Sequence, residues 1–158
     1  MQLRRSLRDP WVWGQFALMA AVILGARPLA RLLPGQTGPW AGIAGYLLLA
    51  LGFAVLFRGA TDLGRNLTPA TEPVPEGYLV ERGIYGVVRH PMYFGFCLLF
   101  AAIGLIARNW LVALLAFAAG VAYFEGKART EERKLTLRHP RYREYAARVP
   151  RLVPGGWR

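Results

Sequence analysis

Four apolar blocks, residues 11–26, 40–57, 93–107 and 110–124, are almost free of charge, and the charged residues of the chain fall between them. A helix crossing a hydrocarbon core of ~30 Å needs about 20 residues, with a lower bound near 17. Block 40–57 meets that bound, and the others reach it with flanking residues. The helices of a soluble bundle carry a charged outer face, and none of these blocks has one. The expected fold class is therefore all-α: a polytopic integral membrane protein of about four transmembrane helices with a cytoplasmic cap, a single domain over 1–158. Blocks this short, in a chain this rich in glycine and alanine, call for closely packed helices.

The arginines set the topology. Arg4, Arg5 and Arg8 precede the first block, and Arg27 and Arg31 follow it. Arg58, Arg65, Arg82 and Arg89 lie between the second and third blocks, Arg108 alone between the third and fourth, and ten basic residues follow Phe124. The positive-inside rule then puts both termini and segment 58–92 in the cytoplasm, in a bacterium at the inner membrane. A cleaved leader ending near Ala30 would leave three spans and put the charged segments outside, so the first block is read as a retained helix. The turn 107–109 is too short for a folded loop, which makes blocks three and four a helical hairpin. Segment 58–92 holds Pro69, Pro73, Pro75 and glycines at 64, 77, 83 and 86, and reads as extended and turn structure over the cytoplasmic face.

A net charge of +11 invites a nucleic-acid partner. The cations, however, cluster at the ends of apolar segments and carry no binding motif, so the lipid bilayer is the expected partner and nucleic acid is not. Cys97 is the only cysteine; an internal disulfide and a cysteine-based zinc site are both excluded, and no metal is expected.

Two charged constellations stand out. The first is Arg89-His90-Pro91-Met92-Tyr93-Phe94-Gly95 at the mouth of the third helix. Pro91 suits a first helical turn, His90 before it is pushed toward an extended conformation, and Gly95 admits close approach of a backbone or ligand. By composition alone Arg89 and Tyr93 read as interfacial anchors. The second runs past the fourth block: Glu125, Lys127, Arg129, Glu131, Glu132, Arg133 and Lys134. A continued helix pairs Glu125 with Arg129 and Lys127 with Glu131, four residues apart. Glu125 abuts the apolar block, where a carboxylate needs a partner. Arg138-His139-Pro140-Arg141-Tyr142 then echoes the first motif, and both histidines of the chain lie in these two copies.

Arg-His-Pro-x-Tyr-x-Gly at 89–95, Glu131-Glu132 followed by Leu135, and Tyr142-x-x-Tyr145 ahead of Val149-Pro150-Arg151 resemble the signature of isoprenylcysteine carboxyl methyltransferases and the related phospholipid methyltransferases. The lead-in Leu79-Val80-x-x-Gly83-x-Tyr85 is similar, and the likeness spans about 76–154. The chain departs from many members at His139-Pro140, where they carry an aromatic–glycine pair.

The resemblance implies an S-adenosyl-L-methionine-dependent methyltransferase whose cofactor pocket lies at the cytoplasmic membrane boundary. Arg89, His90, Pro91, Tyr93, Gly95, Glu131, Glu132, Tyr142 and Tyr145 are its expected cofactor contacts. Arg89, His90 and Glu132 are the expected catalytic groups, and Arg129 and Arg133 the cations for an acceptor carboxylate. The acceptor is a hydrophobic or amphiphilic small molecule, such as a prenylcysteine-like carboxylate or a lipid headgroup. A nicotinamide-dependent membrane reductase of the sterol-reductase type and a non-catalytic lipid-binding scaffold are the competing readings.

Overall fold

The computed structural model describes residues 9–156, so Arg4, Arg5, Arg8 and Arg158 lie outside the described residues. It is helical: α1 Pro10–Leu32, α2 Pro39–Leu63, α3 Pro91–Ile106, α4 Trp110–Arg138 and the short α5 Tyr142–Arg148, with 3₁₀ turns at Gly64–Asn66 and Gly83–Gly86. At 1.5 Å per residue, α1, α2 and α4 are about 35, 38 and 44 Å long, enough to cross a bilayer, whereas α3 reaches about 24 Å. Three helices are long and apolar enough to span, and α3 is a shorter apolar helix. Their outer faces carry bulky apolar side chains such as Leu24, Leu47, Phe57 and Leu114 in the open, a surface suited to lipid rather than water. The protein is an integral membrane protein.

Glycine lets these helices touch. Gly45, Gly52 and Gly59 recur every seven residues along α2 and are its buried positions. Each meets α3 in turn: Gly45 against Ile106 and Ala102, Gly52 against Leu99 and the backbone of Gly95, Gly59 against Met92. Between α3 and α4, Gly104 lies directly on the backbone of Ala113, and Gly120 faces Phe100 and Cys97. Thus α3 is wedged between its neighbours and buries Cys97, Phe100 and Ala102 almost completely. A β-carbon at Gly104 would overlap rigid backbone, so Gly104→Ala is expected to cost about 1–3 kcal/mol by overpacking. Gly42→Ala, with nothing near the added carbon, should be neutral or slightly stabilising. Unfolding of both variants in mixed detergent micelles checks the contrast; equal midpoints would refute it.

The two ends of the bundle are closed differently. At one end Asn109 is fully buried. It accepts from the Val112 N–H at the start of α4 (3.0 Å) and donates to the Ala30 and Leu33 carbonyls at the end of α1 (3.3 and 3.2 Å). It thereby caps two helices and fixes the α3–α4 hairpin at 107–109, as the sequence reading expects. At the other end buried Asp9 caps α1 and accepts from the Thr71 N–H and hydroxyl (2.6 and 2.8 Å). Lys127 of α4, 1% exposed, donates to Gln15 Oε1 (2.7 Å) and the Pro69 carbonyl (3.0 Å). The connection after α2 is therefore strapped across α1 and α4.

Two local expectations change. Residues 58–63 belong to α2 rather than to the connection, because the Arg58–Asp62 pair, 3.0 Å apart, carries the helix to Gly64, whose φ of 54° ends it. Lys127 turns to α1 and the strap instead of making the expected pair with Glu131. The expected extension of α4 past Phe124 and the Glu125–Arg129 pair (3.0 Å) are present.

Candidate functional site

Pro91 opens α3 at its first turn, and His90 before it leaves the helical region with φ −124° and ψ 63°. This is less extended than its place before proline suggests, because both its backbone groups are engaged. Its carbonyl accepts from Tyr93 and Phe94, while its N–H donates to the Arg151 carbonyl (3.0 Å). The Arg89 N–H donates to the Pro150 carbonyl (2.9 Å), so residues 89–90 and 150–151 are laced together. The C-terminal tail is thereby brought beneath the mouth of α3, next to the charged extension of α4.

Glu132 organises this junction. Its Oε1 accepts from Arg89 Nε (2.9 Å) and lies 3.2 Å from His90 Nε2; its Oε2 accepts from Arg151 Nε (2.9 Å). Arg89 is 4% exposed and also donates to the carbonyls of Ala146 (2.6 Å) and Val149 (2.5 Å), so it is a buried clamp and not an interfacial anchor. Arg151 reaches on to Glu125, which also holds Arg129. The carboxylate at the edge of the apolar block therefore has its partner.

Glu131 points elsewhere. Its Oε2 accepts from the Tyr93 hydroxyl (2.6 Å) and stands 3.8 Å from His90 Nδ1, and about a quarter of the side chain is open. It lines a cleft between α3, α4, α5 and the strap. Arg89, His90, Tyr93, Tyr142 and Tyr145 share that lining, together with Tyr85, His139 and the strap residues Tyr78, Leu79 and Val80. The cleft holds about 110 Å³, small beside the roughly 300–1,000 Å³ of pockets for drug-sized ligands, so a ligand of that size has to extend beyond it.

The cleft is aromatic. His90 and Tyr93 stack with centroids 5.1 Å apart, and Tyr93 stacks in turn on Phe124. The Lys127 ammonium sits 5.2 Å from the centre of the Tyr93 ring. Burial pushes the Tyr142 and Tyr145 phenols well above the usual tyrosine range, so both remain O–H donors at neutral pH. Tyr145 donates to the Tyr85 carbonyl (2.6 Å). The Tyr142 hydroxyl, in a residue only 3% exposed, has no partner among the described residues. An orphaned donor in a cleft is a position a ligand oxygen or nitrogen fills.

Six of the expected site residues thus share one cleft: Arg89, His90, Tyr93, Glu131, Tyr142 and Tyr145. Glu132 stands behind it. Gly95 packs on α2 beside Gly52 and Leu56, and Pro91 is buried at the start of α3. Arg129 and Arg133 are exposed on α4 and do not line the cleft. The two Arg-His-Pro copies have different jobs: the first opens α3, whereas His139 ends α4 and Pro140 leads into α5, though both histidines reach the same cleft. Three contributors escaped the sequence reading in these roles: Arg151 as the third side chain on Glu132, Lys127 beneath Tyr93, and the strap as a wall.

The sequence profile of the phospholipid methyltransferase family matches residues 40–140, more than half of the chain, from the start of α2 through the end of α4. Among curated proteins none matches the chain. The match takes in the α3 mouth, the strap and both glutamates, while α1 and the tail bearing Tyr142, Tyr145 and Arg151 lie outside it. The chain belongs to the phospholipid methyltransferase family, which is related to the isoprenylcysteine carboxyl methyltransferases and consists of membrane methyltransferases.

Proposed function

We propose that the protein transfers a methyl group from S-adenosyl-L-methionine to a membrane-associated or hydrophobic acceptor such as a prenylcysteine-like carboxylate or a lipid headgroup, and that the cleft beside Glu131 holds the cofactor. The orphaned Tyr142 hydroxyl in the same cleft as a partly open carboxylate carries the reading, because the pair suits a ligand bearing both an ammonium and hydroxyls. When bound, S-adenosyl-L-methionine supplies a methyl group already activated on a sulfonium.

The side chains then have to bind, orient and exclude water. Glu131 would hold the ammonium or the ribose hydroxyls through charge-assisted hydrogen bonds. Tyr142 would donate its free O–H, and the rings of Tyr85 and Tyr145 would pack against the nucleoside and the sulfonium. Arg89 and Glu132 keep the wall in place. An ionised carboxylate acceptor needs no base. An amine acceptor would have to lose a proton, for which His90, between the two glutamates, is the group in reach. The arginine distribution supports an orientation with the cleft and both termini on the cytoplasmic side.

Calorimetric titration of the detergent-purified protein with S-adenosylhomocysteine tests the reading. Binding is expected in the parent, and Tyr142→Phe should weaken it by roughly 2- to 10-fold, the worth of one neutral hydrogen bond, without loss of stability. Tyr145→Phe should instead lower stability by about 1–3 kcal/mol, because it strands the Tyr85 carbonyl. No heat from a folded parent that does bind a nicotinamide dinucleotide would replace the methyltransferase by the reductase. No heat from either would leave the scaffold.

A further inference from the structure

A second hollow, of about 590 Å³, opens where α4 meets the C-terminal tail, lined by Val121, Glu125 and Arg129 from α4 and by Arg151, Leu152, Val153 and Gly156 from the tail. It shares no lining residue with the cleft. Residues two apart on a helix point about 200° from one another, so Arg129 and Glu131 face nearly opposite ways. We propose that this hollow binds the phosphodiester headgroup of a membrane phospholipid, with the phosphate between Arg129 and Arg151 and the first acyl carbons over Val121, Leu152 and Val153.

Three observations lead there. Val121, Glu125 and Arg129 are spaced by four along one face of α4 and run from the apolar block toward the cytosolic end, so the wall changes from hydrocarbon to charge over two turns, as an amphiphile at the membrane boundary does. Two guanidiniums share the single Glu125 carboxylate of the lining, and Glu132, which also holds Arg151, is matched by Arg89, so the linked group of three arginines and two glutamates keeps one positive charge in surplus. Donors are also in excess. Arg129 uses only Nε on Glu125, and Arg151 uses Nε on Glu132 and one terminal nitrogen on Glu125, so the remaining N–H groups of two planar forks are free for phosphate oxygens.

The site is also built rather than incidental. Arg151 is set by the Glu132 bond and by its own carbonyl, which accepts from His90, and Leu152 beside it is 4% exposed in the core. A lipid here would brace the tail that holds the cleft's back wall, a role separate from presenting an acceptor to the cofactor.

The test needs no S-adenosyl compound, so its failure is distinct from failure of the methyltransferase reading. The full chain, purified in a maltoside detergent and stripped of lipid, is titrated calorimetrically with dihexanoylphosphatidylglycerol, with glycerol phosphate and with uncharged dihexanoylglycerol. Phosphatidylglycerol should bind, Arg129→Gln should weaken it about tenfold at an unchanged unfolding midpoint, and Arg129→Lys should recover only part of the loss. Glycerol phosphate should bind at least about tenfold more weakly and dihexanoylglycerol not detectably. Equal affinity in Arg129→Gln overturns the site. Equal binding of glycerol phosphate would make it a free-anion site, and equal binding of dihexanoylglycerol an ordinary lipid-belt contact; either outcome also overturns the proposal.

Discussion

Glu132→Ala is expected to destabilise the protein by roughly 3–5 kcal/mol, the largest single effect predicted for this chain, because it leaves the buried Arg89 guanidinium without its counter-charge. Arg89 is 4% exposed and Glu132 9%, and the carboxylate answers Arg89, His90 and Arg151 at once. Without it the Arg89 guanidinium keeps the Ala146 and Val149 carbonyls but faces Arg151 across an emptied position. The tail should loosen from α3, and the wall of the cleft with it. The double variant Arg89→Met/Glu132→Leu should recover part of the loss, since it removes the stranded charge as well, although the two carbonyls that Arg89 served remain unsatisfied. Unfolding midpoints in mixed detergent micelles decide it. A Glu132→Ala protein within about 1 kcal/mol of the parent would mean that the carboxylate is not the keystone of the junction.

Much of the frame is written in the sequence in a form that needs no tertiary information. Charge-free blocks bounded by arginine give the helices, the three residues 107–109 give the hairpin, and Glu125 with Arg129 signals that α4 continues beyond the bilayer. The period-seven glycines at 45, 52 and 59 are also visible in the sequence, and they mark the face of α2 that meets α3; that signal was there to be used. What the sequence cannot supply is direction across space. Glu131 and Glu132 are neighbours about 100° apart on a helix, and which of them faces a cleft depends on where α3 and the tail lie. Arg89 reads as an anchor until the carbonyls of Ala146 and Val149, 57 and 60 residues away, are known to surround it. Lys127 has a local partner by spacing in Glu131, but burial against Gln15 and Pro69 satisfies its ammonium better than a pair across the helix surface, and tertiary context overrides the local rule.

The other glutamate should behave in the opposite way. Glu131→Gln is expected to leave the unfolding midpoint within about 1 kcal/mol of the parent, because the amide oxygen still accepts from the Tyr93 hydroxyl and the position is partly open to water. The cost should fall on the ligand. Replacing a charge-assisted hydrogen bond to an ammonium or a ribose hydroxyl by a neutral one forfeits about 1–1.5 kcal/mol, which is roughly 5- to 13-fold in the affinity for S-adenosylhomocysteine. Calorimetry on Glu131→Gln beside the parent reads this directly. If affinity is retained in Glu131→Gln, Glu131 does not hold the cofactor and the Tyr142 hydroxyl must find its partner elsewhere in the cleft. If affinity is lost at constant stability, two consecutive carboxylates on α4 have divided the work by rotation alone: the one turned inward balances the cations that close the fold, and the one turned outward keeps its charge for the ligand.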